Sequence, residues 1–279
     1  MTMQDAMPDT NRLPQPFGDA AWPKALQPAA EALWHWHLSL RAPHLGAEGG
    51  EGGTVYFDEE RTRAAAGEPV RVVPASVAEA AYAACKSHAL PLELLAEQVA
   101  ASARFSGAIR FATSAELHTF VQQWAGSHAR LLARLAGHKG SWQLPHVDEL
   151  ARAYFLTGRL VYLPEDLARD HLFIPLDEMQ KAGVSLDQLR EGTVDEALKR
   201  LFWKQTVRIR DAFAHGQNLV KDLSGRQRRV FKRWWLGGIY ILTEFERRDY
   251  DVWSRPITLS PVRRMQVRMQ ALVGKTSFR

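Results

Sequence analysis

The residues best placed to do chemistry are three carboxylates in Leu156–Met179, which reads LTGRLVYLPEDLARDHLFIPLDEM. Glu165 and Asp166 are adjacent, and Asp170 follows four residues on. Side chains four apart on a helix share a face, so Asp166 and Asp170 have the spacing at which a helix can hold Mg²⁺ against a diphosphate. Mg²⁺ prefers oxygen ligands and keeps waters and phosphate oxygens in its other positions. A solvated helix end gives the same pattern with no chemistry, and a lone D-x-x-x-D is common by chance. Pro164 precedes the cluster; it lacks a backbone donor and kinks a helix that runs through it.

Other constellations are weaker. His35 and His37 flank Trp36, but residues two apart on a helix point to different faces and cannot chelate together without a third ligand. They read as packing or surface histidines. The single cysteine, Cys85, lies in the apolar AYAACKSHA and reads as a core thiol. No Walker-type phosphate loop, dinucleotide fingerprint or G-x-S-x-G elbow occurs.

Composition bounds the class. A chain of 279 residues, 46% hydrophobic and 24% charged, can bury a sizeable core as one large domain or two small ones. One cysteine precludes an internal disulfide, and no charged start leads into an apolar run, so a cytoplasmic protein is expected. No stretch approaches the roughly 18 apolar residues of a membrane span. The net charge of +5 is uneven: from Ser224 to Arg279 there are thirteen Lys and Arg against four Asp and Glu. Such an end can face an anionic membrane surface, a diphosphate or nucleic acid. The basic residues are spread along an aromatic-rich helix, VFKRWWLGGIYILTEF, without a recognition motif, so no nucleic-acid partner is expected.

The elements that must position these residues are helical. Residues 1–18 are polar and Pro-containing and read as a flexible tail; 19–279 reads as a single domain. Pro23–His44 reads as a helix, followed by the Gly-rich loop Leu45–Thr54. Capping-box spacing at Ser76/Glu79, Thr113/Glu116, Ser185/Gln188 and Thr193/Glu196, and Ser260 before Pro261, predict five helix starts. Leu117, Phe120, Val121 and Trp124 recur on one helical face, and Leu198, Leu201, Phe202, Ile209 and Phe213 on another. The only β-like run is Val70–Val73. The expectation is an all-α bundle of seven to nine helices.

Three segments, in order, resemble the squalene/phytoene synthase family. They are RFATSAELHTFVQQWAGSHARLLARLAG (Arg110–Gly137), the stretch Leu156–Met179, and YDVWSRPITLSPVRRM (Tyr250–Met265). The last is the most specific, because its aromatic, Asp, Arg and Leu-Ser positions recur together. The resemblance implies an isoprenoid-synthase-type all-α bundle around a central apolar cavity lined by the Trp-rich helices. It also implies Mg²⁺ that neutralises a departing diphosphate. In the family register Glu165 and Asp166 fall on metal-motif positions, Arg159 and Arg169 would bind diphosphate, and Asp170 lies in a basic turn off the motif. Tyr162 stands where the motif's first aspartate belongs. The paired-aspartate helix expected earlier in the chain reads EALWHWHLSLRAPH and offers no acidic pair. Leu163-Pro164 is similar to a divergent branch of the family, that of a mitochondrial complex I assembly factor.

Two functional readings follow from the resemblance. One is a protein that binds an isoprenoid or prenyl diphosphate with degenerate Asp-rich motifs and reduced or absent condensing activity, with a role in assembling a protein partner and peripheral contact with a membrane. The other is an Mg²⁺-dependent transferase joining two prenyl diphosphates head to head.

Overall fold

Helix-favouring sequence interrupted by Pro and Gly gives a chain of helices from 6 to 27 residues long. The computed structural model describes residues 22–43, 53–138, 140, 144–222 and 225–273. Among them run α1 (Gln27–Ser39), α2 (Gly53–Ala66), α3 (Ala75–His88), α4 (Glu93–Ser102), α5 (Ser114–Val121), α6 (Ser127–Leu135), α7 (Leu144–Val161) and α8 (Leu163–Ala168). Then come α9 (Leu176–Ala182), α10 (Leu186–Glu191), α11 (Glu196–Asp222), α12 (Gly225–Arg247) and α13 (Pro261–Leu272). Thirteen helices among the described residues exceed the seven to nine expected. Pro164 divides α7 from α8, and Gly183 and Gly192, both in the left-handed region, stop α9 and α10 after two turns. Gly192 is also required by space: a Cβ there would lie 2.7 Å from the Trp253 indole.

The described residues contain no β-strand, only an isolated parallel bridge between Ile109 and His171. The tail 1–18 and residues 45–52 of the Gly-rich stretch lie outside the described residues, while Gly53 and Thr54 open α2. Among the helix starts, Ser185 accepts from the Gln188 N–H (3.1 Å) and Ser260 from the Arg263 N–H (3.3 Å), as expected. Thr113 accepts from the Glu116 N–H, but the Glu116 carboxylate reaches the Ala112 N–H instead of that of Thr113. Two starts differ. Pro74 precedes α3 and Ser76 sits inside it, because Pro74 itself blocks helix at the residue before. In α11 the cap is Asp195, which accepts from the Leu198 N–H (2.8 Å), and a carboxylate there displaces Thr193 from the role.

The chain divides into two compact units. In the first, whose described residues fall within 22–107 and 120–148, α1 packs on α3 and α6, and α4 packs on α2 and α6. Trp22, Leu33, Trp36, Phe57, Leu95, Val99 and Trp124 fill its core. Each side chain of this size contributes about 1.5–3 kcal/mol when fully buried. Cys85 is buried here, and burial pushes its thiol up to about 12, which keeps it protonated and unreactive. In the second, whose described residues fall within 108–119 and 149–273, the face Leu198, Leu201, Phe202, Ile209 and Phe213 of α11 is buried as its periodicity predicts. Gly238 of α12 lets the Phe213 ring approach to where a Cβ would stand, and Trp235 Nε1 donates to the Phe213 carbonyl (2.9 Å).

His35 is exposed and His37 buried, so the two point to different faces as expected. His37 stacks on His128 (ring centroids 4.3 Å apart) and on Trp124 (4.2 Å). Gln98 donates to the Leu94 carbonyl, so its Oε1 faces His37 Nδ1 at 2.8 Å and fixes that nitrogen as the protonated one. Burial lowers His37 to about 3, against the opposing pull of Gln98, and drives His128 well down as well, helped by His37.

An imidazole neutral in the fold but basic in the unfolded chain takes its proton on unfolding. Its contribution to stability is full above about pH 6.5 and falls as the pH drops below it. Urea unfolding should therefore show stability declining from pH 6.5 to 5, above the range where carboxylates titrate. His128→Phe, which keeps a ring in the stack, should reduce that slope by about 1.4 kcal/mol per pH unit. An unchanged slope would refute the assignment.

Candidate functional site

The site forms where α7 gives way to α8. Pro164 has no N–H and its ring crowds the carbonyl four residues back, so the helix breaks at Tyr162 (φ −100°, ψ 16°). The ladder survives on both sides: the Tyr162 N–H reaches the Gly158 carbonyl and the Asp166 N–H the Tyr162 carbonyl, each at 2.9 Å. The bend carries Asp166 back to Arg159, two turns earlier. Arg159 Nη1 donates to both Asp166 oxygens, at 2.7 and 3.0 Å. Both side chains are nearly sealed, 11% and 3% exposed. The guanidinium carbon also lies 5.5, 5.6 and 5.4 Å from the ring centres of Phe155, Tyr162 and Phe173, inside the range of cation–π attraction.

The predicted site residues are thus only partly brought together. Arg159, Tyr162 and Asp166 form one cluster. Glu165 is half-buried on the next position of α8, and Arg169 is exposed at its C-terminal end. Asp170 is turned elsewhere. It occupies the left-handed position (φ 58°) that closes α8, where the His171 N–H bonds the Asp166 carbonyl and the Asp170 N–H that of Leu167. Its carboxylate meets Arg110 and, at 3.2 Å, Arg190; the Arg110 guanidinium holds it below the usual carboxylate range. Asp166 and Asp170 therefore share no ligand position, as the family register implies.

The first two matching segments are joined through their backbones. The Ile109 N–H reaches the Asp170 carbonyl (3.0 Å), Leu172 reaches Ile109 (2.9 Å), Leu176 reaches Phe111 (2.9 Å) and Asp177 reaches Ala112 (3.1 Å). Beside this seam lies a group that sequence reasoning missed. The buried Glu178 accepts from Ser114, Gln205 and Arg208. Its place in the FIPLDE run was visible; its partners, 64, 27 and 30 residues away, were not. The third segment, Tyr250–Met265, wraps the end of α11: Tyr250 and Trp253 lie 6.1 and 6.3 Å from the Phe202 ring, and Asp251 accepts from the Trp253 and Ser254 N–H groups.

The sequence profile of squalene/phytoene synthases matches residues 29–269, which spans both units and all three segments. The chain belongs to the squalene/phytoene synthase family. Among curated relatives, a phytoene synthase of Thermus thermophilus is 33% identical over 110 residues, 39% of this chain and 38% of that protein. The matched stretch thus spans well under half of that relative's length. Among solved structures, a dehydrosqualene synthase crystallised with a ligand superposes with a TM-score of 0.76 at 14% identity, covering 91% of this chain and 88% of that one. Squalene synthase HpnC from Alicyclobacillus acidocaldarius gives 0.71 at 20% identity, covering 83% and 87%. These superpositions establish the isoprenoid-synthase-type helical fold. In the family register, the helix expected to carry paired aspartates is α1, and its buried residues include Trp36 and His37.

Removing one partner of a sealed ion pair strands the other charge. Arg159→Ala should destabilise the fold by about 3–5 kcal/mol in urea unfolding, whereas Arg159→Leu with Asp166→Leu should recover most of that loss. Equal losses in the single and double variants would show that the pair is not coupled.

Proposed function

We propose that this protein binds a prenyl chain or prenyl diphosphate in the isoprenoid-synthase fold and has reduced or absent condensing activity. Family membership supports the ligand class. The observation that carries the altered chemistry is the state of Asp166. Mg²⁺ needs near-octahedral oxygen ligands at 2.0–2.1 Å, with positions left for phosphate oxygens. Both Asp166 oxygens already accept from Arg159, and no group of three His, Cys, Asp or Glu side chains capable of holding a metal occurs among the described residues. The residues of this cluster as arranged do not fit the ion.

The consequence for the reaction is electrostatic. A departing diphosphate needs positive charge aimed at it, and losing one such stabilising group costs about 3–4 kcal/mol, or 10²–10³ in rate. Here the cation of the cluster, Arg159, is neutralised by its own carboxylate and covered by three rings. Tyr162, at the register position of an aspartate, contributes one of those rings in place of a ligand.

The test combines binding and turnover. Farnesyl and geranylgeranyl diphosphate should each raise the melting temperature of the purified protein, while incubation with Mg²⁺ releases little pyrophosphate. Robust pyrophosphate release that Asp166→Ala abolishes would overturn the reading and favour the head-to-head transferase. Failure of both diphosphates to shift the melting temperature would overturn the ligand assignment.

A further inference from the structure

α13 has an unusual distribution of side chains. Only Val267 and Ala271 are buried, one turn apart, where the helix rests on α12. Val262, Met265, Met269, Leu272 and the following Val273 are open to solvent, at 61%, 62%, 57%, 51% and 56%. At about 100° per residue these five fall within an arc of roughly 100°, centred opposite Val267 and Ala271. The solvent side of the helix therefore carries a continuous apolar stripe. Scattered surface hydrophobics need no explanation, but an aligned stripe facing away from the core does.

The flanks of the stripe are basic. Arg264 and Arg268 lie along one edge, Gln266, Gln270 and Arg263 along the other, and α13 contains no acidic residue. Arg263 is steadied over the Tyr240 ring (5.1 Å) and by Gln266 (2.9 Å), and Tyr240 also bonds Gln270 (3.0 Å), which ties the polar edge to α12. At the far end, Lys232 of α12 donates to the Val273 carbonyl, so the start of α12, with Arg226 and Arg229 exposed, extends the basic surface past Leu272. No helix among the described residues is long and apolar enough to cross a membrane.

We propose that α13 is a membrane-docking helix that lies in the plane of an anionic lipid surface, with Val262, Met265, Met269, Leu272 and Val273 inserted among the acyl chains and the arginines at headgroup level. An apolar face one-third of the circumference wide, bordered by arginine with no acidic residue, fits this occupant. A protein partner would require acidic groups placed to meet each arginine, whereas an anionic bilayer presents its charge along the whole length. The inference stands independently of whether the protein condenses prenyl diphosphates. It gives the chain a place from which to meet lipidic ligands.

The full chain should co-sediment with vesicles of 70% phosphatidylcholine and 30% phosphatidylglycerol, and at least tenfold less with pure phosphatidylcholine. Met265→Asp with Met269→Asp should lower the affinity at least tenfold. Arg263→Gln, Arg264→Gln and Arg268→Gln together should lower it by on the order of a hundredfold, at about fivefold per arginine, and remove most of its salt dependence. These side chains are exposed, and an unchanged melting temperature verifies folding. No binding to the anionic vesicles, or binding indifferent to both sets of substitutions, overturns the proposal. So does a dimer in light scattering that the Met→Asp pair dissociates without affecting sedimentation, which would assign the stripe to a second copy of the chain.

Discussion

The interaction on which the candidate site depends is the sealed pair of Arg159 and Asp166. Neither charge could remain in that environment alone, since an isolated ion away from water costs several kcal/mol. The pair is tolerated because Arg159 Nη1 meets both carboxylate oxygens and because Phe155, Tyr162 and Phe173 place ring faces around the guanidinium. The bend at Pro164 makes the meeting geometrically available. A straight helix sets residues seven apart on the same face two turns apart, about 10 Å along the axis. Closing that gap requires both the long arginine and the break at Tyr162.

The same rule orders the other carboxylates of the matching segments. Glu178 is buried and fully engaged by Ser114, Gln205 and Arg208; Asp170 closes α8 and meets Arg110 and Arg190. Arg110 in turn bonds the Asp170 and Ile109 carbonyls. Through these contacts the seam between residues 109–112 and 170–177 fixes the chain that follows α8. The carboxylates thus hold elements in place, which is a different use from gathering around an ion.

Much of the architecture was legible because it rests on local rules. Helical periodicity identified the buried faces of α5 and α11, and the spacing of His35 and His37 predicted that they would part company. Ser185 and Ser260 announced their helices through hydroxyl capping. The failures share a cause: Ser76 and Thr193 have the right spacing, but Pro74 and Asp195 are stronger local determinants a few residues away. For the site, the sequence offers a family register to propose from but no information on contacts. Sequence comparison could align Asp166 with a motif and mark Tyr162 as the departure, yet nothing in the order of residues says that Arg159 turns inward to Asp166. Nor could it reveal Glu178, whose partners come from α5 and α11 across long separations.

The exchange of a metal ligand set for an internal ion pair has a definite physical meaning on the proposed reading. Mg²⁺ bound by carboxylates is a divalent charge with open positions, so it can transfer its attraction to an incoming phosphate. A guanidinium tethered two turns from the carboxylate it neutralises is monovalent, and its Nη1 is already committed to both oxygens of that carboxylate. To attract a diphosphate it would have to leave Asp166, which would then be stranded in a sealed site, and it would have to leave the three rings as well. The electrostatic gain from the ligand must exceed both losses before any catalytic use of Arg159 begins. On that reading the aromatic ring of Tyr162 does more than vacate a ligand position: it raises the cost of releasing Arg159.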